Sequence, residues 1–192
     1  MRARLATTSG GAEHRGGLVL ALGLLEDRRA SPLLRSIVED RRAEGDLRGL
    51  AAEAVGLVGD PGQQEYLALR IEDPSCRAFR GSLVAAAGLL RAKGSTSGAV
   101  DLLESPDATI AERNAAAIAL GRIRPGPGSA ALDRLVGIAE DRFGKHDSAT
   151  RAAATDALGR IGSNRWDRLA DLSRGVNYRA LTPALAEVLA VP

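Results

Sequence analysis

The chain has 192 residues, enough for one ordinary domain, with 45% hydrophobic residues and only 3% aromatic ones. Its 26 basic and 24 acidic residues leave a net charge of +2, which describes a mixed surface and not a polyelectrolyte; the sequence pI near 9.1 is only the endpoint of that near balance. The single cysteine, Cys76, excludes an intramolecular disulfide, and the longest apolar runs, 18–25 and 83–90, fall short of the ~20 residues that span a bilayer.

The opening residues, MRARLATTSGGAEH, lack the apolar central region of a signal peptide. They read as a polar N-terminal segment, 1–14, and a cytoplasmic location is the expectation. At Arg15 a pattern begins that returns at Arg48, Arg80, Arg113 and Arg151, with gaps of 33, 32, 33 and 38 residues. Eight residues after each Arg stands a glycine: Gly23, Gly56, Gly88, Gly121 and Gly159. A fixed period of this size marks an array of stacked units. Small or apolar residues fill offsets 3, 6, 7 and 10 from each Arg, the spacing of one helical face. Offset 6 is alanine in all five copies, Ala21, Ala54, Ala86, Ala119 and Ala157, which predicts a close helix–helix crossing.

Second helical patterns lie between these segments, at 32–40, 63–73, 98–104, 129–142 and 165–173. Punctuation separates them, as in Gly59-Asp60-Pro61-Gly62, Asp73-Pro74 and Pro125-Gly126-Pro127-Gly128. Each unit is thus expected to be two antiparallel helices. No alternating run is long enough to propose a strand. The longest gap, before Arg151, predicts an irregular junction around 140–148, with either a longer helix or a longer loop. A degenerate sixth copy follows Arg179, with Thr182 as the expected N-cap and Pro183 in the first turn.

The Arg-x-x-Ala/Leu-x-x-Ala-Leu/Val-Gly-x-Ile/Val/Leu segments, with Gly59-Asp60 and Gly162 in the following turns, resemble the HEAT-repeat family, in the short bacterial form also seen in phycobilisome-lyase-like repeats. The resemblance runs from about residue 15 to 189. It implies an all-α, right-handed α-solenoid of five to six helical hairpins occupying 15–192 as one domain, and a scaffold that binds a protein or peptide. It also implies that the helices bearing the Arg line the concave side.

The Arg column (Arg15, Arg48, Arg80, Arg113, Arg151) reads first as a structural ladder, because its last four members follow turns containing an acidic residue: Asp46, Asp73, Asp107 and Glu112, and Asp147. A ladder for phosphate or an acidic peptide is the other reading. On a helical wheel, offsets 1, 5 and 8 fall opposite the buried stripe. The candidate binding face is therefore offset 5: Leu20, Glu53, Ala85, Ile118 and Asp156. Leu18, Leu22 and Leu25 are expected at an open end of the first helix, which suggests continuation into a longer array or a covered end. Arg160, Arg165, Arg168, Arg174 and Arg179, with Trp166 and Tyr178, form a basic cluster near the C-terminus that would suit nucleic acid. Five scattered aromatics give that reading little support.

No catalytic, metal or cofactor residues are assigned. His14 and His146 lie far apart, and there is no His-Glu-x-x-His and no cysteine pair. Gly126-Pro127-Gly128 follows a helix and not a strand, which argues against a dinucleotide loop. The expectation is a non-enzymatic scaffold. An accessory subunit of a modifying enzyme, of the bilin-lyase kind, is the alternative that the resemblance allows.

Overall fold

The computed structural model describes residues 12–141 and 144–162, all but the last of them in one packing unit. Nine α-helices and no strand occur among them: α1 (Ala12–Leu24), α2 (Ser31–Glu39), α3 (Gly45–Leu57), α4 (Gln64–Glu72), α5 (Arg80–Leu89), α6 (Thr96–Glu104), α7 (Ile110–Ile123), α8 (Ala130–Glu140) and α9 (Ser148–Gly162). The odd helices are the segments that carry the Arg column. The sixth copy, Thr182, the pattern at 165–173 and the cluster Arg165, Arg168, Arg174 and Arg179 lie outside the described residues.

Local chemistry sets the breaks between helices. Asp27, Asp60 and Asp73 each accept a hydrogen bond from the backbone N–H two residues on, Arg29, Gly62 and Ser75, and so start the short 3-10 turns Arg28–Ala30, Pro61–Gln63 and Pro74–Phe79. Pro32 sits in the first turn of α2, where no amide is missed. Thr109 caps α7 in a reciprocal capping box. Its hydroxyl accepts from the Glu112 amide at 3.2 Å, and Glu112 accepts from the Thr109 amide at 2.8 Å. At the other end of α1, α3, α5 and α7 the chain turns through a left-handed residue eleven positions after the Arg: Glu26, Gly59, Arg91 and Arg124, with φ of 51°, 70°, 53° and 56°. Only Gly59 is free of the Cβ penalty of that conformation.

Packing follows the repeat. α1 rests on α3, α3 on α5 and α5 on α7, while α2 pairs with α3, α4 with α5 and α6 with α7. The two invariant small columns meet across the odd helices. A Cβ on Gly23, Gly56, Gly88 or Gly121 would stand 2.9, 2.7, 2.7 or 2.8 Å from the Cα of Ala54, Ala86, Ala119 or Ala157 of the next odd helix. The backbones touch, and this explains why glycine recurs in the last turn of these helices although alanine is the better helix former. The core is a strip between odd and even helices, built from Leu34, Val38, Val55, Leu67, Leu83, Leu103, Leu120 and Leu135.

Two expectations need correction. On α1, α3 and α5 offsets 1 and 8 do not face solvent: Gly16, Gly49 and Gly81 are buried, as are Gly23, Gly56 and Gly88; on α7 Gly121 is buried and Asn114 half-buried, and on α9 Ala152 and Gly159 are exposed as expected. The odd helices use a second side, beyond the apolar stripe, to lie against one another, so their buried arc is wider than one face. Leu22 is likewise buried, at 1% exposure, by its contact with the core, whereas Leu25 is 67% exposed. The irregular junction before Arg151 shows the longer helix plainly. α8 has 11 residues against 9 in α2, α4 and α6, while the connection 141–147 is as long as 73–79 and longer than 40–44 and 105–109. That connection is tied down by Asp141, whose carboxylate accepts from the amides of Lys145 and His146 at 2.9 and 2.8 Å.

Candidate functional site

With offsets 1 and 8 buried on α1, α3 and α5, the solvent side of those helices consists of offsets 2, 5 and 9. At offset 5, Leu20, Glu53 and Ala85 are half-buried, Ile118 is 37% exposed and Asp156 is exposed. These five share one side, but their chemistry differs. Glu53 is not free: its Oε1 accepts from the Ser82 hydroxyl of the next odd helix at 2.8 Å. Asp156 accepts from Arg160 Nε at 2.7 Å, one turn along the same helix. The apolar part of the column is thus Leu20, Ala85 and Ile118.

Sequence reasoning stopped one turn short. Offset 9 falls four residues after offset 5 and therefore on the same side. It reads Leu24, Leu57, Leu89, Arg122 and Arg160. Leu24 is 70% exposed and Leu89 36%, Leu57 is half-buried, and the two arginines are exposed. The signal was present in the aligned segments, but an apolar residue beside the core offset 10 reads as more core. Small residues separate these side chains: Gly17, Ser82, Ala115 and Ala153 at offset 2, with Leu50 the exception. The result is a shallow, mostly apolar strip crossing α1, α3, α5 and α7. It opens at the N-terminal ends of α3, α5 and α7 into a depression of about 600 Å³ lined by Gly49, Leu50, Gly81, Ser82, Thr109 and Glu112.

The Arg column does not project onto this strip. Arg48 is 8% exposed. Its Nε donates to the Val38 carbonyl at 2.8 Å, near the end of α2, and its guanidinium lies 4.4 Å from the centre of the Phe79 ring. Arg113 donates to the carbonyls of Ser105 and Pro106, at the end of α6, at 3.3 Å each. Arg80 donates to the Gly98 carbonyl at 3.4 Å and stands 4.0 Å from Asp101. For Arg48 and Arg113 the acceptors lie at helix C-termini, which leave carbonyls without intrahelical partners, and a guanidinium fits several acceptors at once; the Gly98 carbonyl that Arg80 meets is in the first turn of α6. The acidic residues expected as their partners work elsewhere: Asp73 pairs with Arg70 at 3.1 Å, Asp107 with Arg77 at 2.7 Å, and Asp147 caps Thr150. Arg15 is half-buried and Arg151 exposed.

Several carboxyls are shifted by the turns they close. Asp60 lies below the ordinary carboxylate range because the Gln63 side chain and then the Gly62 amide donate to it. Asp73 is lowered by Ser75, Asp141 by the His146 and Lys145 amides, and Asp147 by the Thr150 hydroxyl and amide. Burial pushes the Tyr66 hydroxyl up. All five groups serve helix ends or core packing, and none lies on the apolar strip. Cys76 is buried beside Arg48. Of the basic C-terminal cluster, Arg160 alone is described, and it is paired with Asp156. No helix among the described residues is long and apolar enough to cross a membrane.

The chain matches no protein-family model, and no curated protein is significantly similar to it in sequence.

Proposed function

We propose that this chain is a HEAT-like α-solenoid scaffold, without catalytic activity, that binds a protein segment along the solvent side of its odd helices. The observation that supports this is the strip of exposed apolar side chains, Leu24, Leu89 and Ile118 with Leu20 and Leu57, set among residues too small to cover them. Contiguous exposed apolar surface on a soluble domain is an interaction site more often than an accident. The arrangement of helices suits the solenoid reading, since each odd helix packs mainly on its odd neighbours and on one even helix. Arg48, Arg80 and Arg113 bind backbone carbonyls of the even-helix layer and its turns, and so leave the strip free for a partner. A concave placement of the strip and a right-handed coil follow from the family resemblance.

Ile118→Arg tests the reading. Ile118 is 37% exposed, so the variant keeps the wild-type circular dichroism spectrum and melting temperature within about 2 °C, as for a surface change of ~0.5 kcal/mol or less. Binding to proteins captured from the native host falls at least tenfold, because a charged side chain that must be desolvated replaces an apolar contact on the strip. A folded variant that captures the same proteins undiminished places the binding surface elsewhere.

A further inference from the structure

The offset-9 column changes character along the strip. It carries leucine on α1, α3 and α5, at Leu24, Leu57 and Leu89, and arginine on α7 and α9, at Arg122 and Arg160. Arg160 is held by Asp156 one turn earlier. Arg122 is exposed and has no counter-ion among the described residues, and Ile118 lies one turn before it on the same side. A guanidinium at the end of an apolar strip, with no counter-ion among the described residues, is a charge that a partner can neutralise without breaking any ion pair seen there.

The polar groups beside the strip are already engaged, Ser82 with Glu53 and Arg160 with Asp156. An extended peptide lying there would find few donors and acceptors for its backbone. A helix satisfies its own backbone and needs only an apolar side. Adjacent helices pack ~8–10 Å apart and a helix rises ~1.5 Å per residue, so one interval of the column spans roughly five to seven residues of a partner helix, and an apolar stripe recurring at three and four positions meets each leucine in turn.

We propose, building on the binding face described above, that the partner is an amphipathic helix with an apolar seam and a carboxylate-bearing end. The seam lies across Leu24, Leu57 and Leu89, and an Asp or Glu about one interval beyond it pairs with Arg122. The strip therefore reads the direction of its partner, apolar end toward α1 and acidic end toward α7.

The test uses the full-length chain and a display library of single helices about 25 residues long, randomised along the seam and at both ends. Against wild type, selection enriches helices with leucine-like residues recurring at three and four positions along the seam and an acidic end. Against Arg122→Glu the acidic end is replaced by Lys or Arg, and individual wild-type winners bind at least tenfold more weakly. Against Leu89→Arg enrichment disappears. Circular dichroism of both variants, exposed as their side chains are, verifies folding. Enriched seams with no acidic preference, or with the same end chemistry on Arg122→Glu, overturn the directional pairing but leave the binding face standing. No enrichment on wild type above the Leu89→Arg background overturns the binding face and this inference together.

Discussion

Alanine at Gly88 should destabilise the protein, although alanine is the better helix former. Gly88 lies inside α5, where replacement by alanine would gain up to ~1 kcal/mol in helix propensity if nothing opposed it. The added Cβ, however, would lie 2.7 Å from Ala119 Cα and 2.8 Å from Ala119 Cβ. Ordinary contact begins near 3.4 Å, so α5 and α7 must part by several tenths of an ångström, and the obstruction is backbone, which cannot rotate away. That separation loosens Leu83, Ala87, Ala116 and Leu120, all fully buried along the same crossing. Overpacking against backbone stands at the upper end of its usual range, about 3 kcal/mol. Subtracting the propensity gain leaves a net loss of about 2 kcal/mol, a fall in melting temperature of about 4–8 °C for a chain of this size. Gly137 supplies the matched control. It lies in α8, and its added Cβ would meet nothing within 4 Å. Gly137→Ala should raise the melting temperature by about 2–4 °C. Urea and thermal unfolding of the two variants measure both signs. If Gly88→Ala stabilises as Gly137→Ala does, the odd helices do not touch backbone to backbone and the explanation of the glycine column fails.

Arg48→Ala should cost about 2–4 kcal/mol in urea unfolding, since it strands the buried Val38 carbonyl and removes the stack on Phe79; a loss below 1 kcal/mol would make the Arg column dispensable there. Arg91→Gly should stabilise by up to about 1 kcal/mol, because glycine carries no Cβ penalty at φ 53°, the excess being offset in part by its greater freedom when unfolded; a destabilised variant would mean that the Arg91 side chain contributes more than the strain. Acid should unfold the protein in a window below about pH 4. Asp60, Asp73, Asp141 and Asp147 have lowered folded-state pKa values, so their contribution is present above the unfolded carboxyl value and is lost as pH falls through the folded ones. Asp141→Asn with Asp147→Asn should flatten that acid limb, and an unchanged limb would assign the lability to other groups.

The sequence alone determined the helical class, the period and the glycine and alanine columns, because each depends on spacing within one short segment. Apolar residues recurring at three and four positions describe a helix wherever it packs, and a glycine repeated at one position of every copy points to a neighbour too close for a Cβ. What a single segment cannot contain is which neighbour. Only the tertiary structure paired Gly56 with Ala86 and Gly88 with Ala119, and so showed that offsets 1 and 8 belong to the contact between odd helices and not to solvent. The same packing rotated the open side toward offset 9, bringing Leu24 and Leu89 beside Leu20 and Ile118. It also turned Arg48 and Arg113 from the acidic residues nearest in sequence to the carbonyl ends of α2 and α6. A wheel drawn for one helix has one buried side. A helix held between like neighbours has three, and the fourth is found only when all the neighbours are in place.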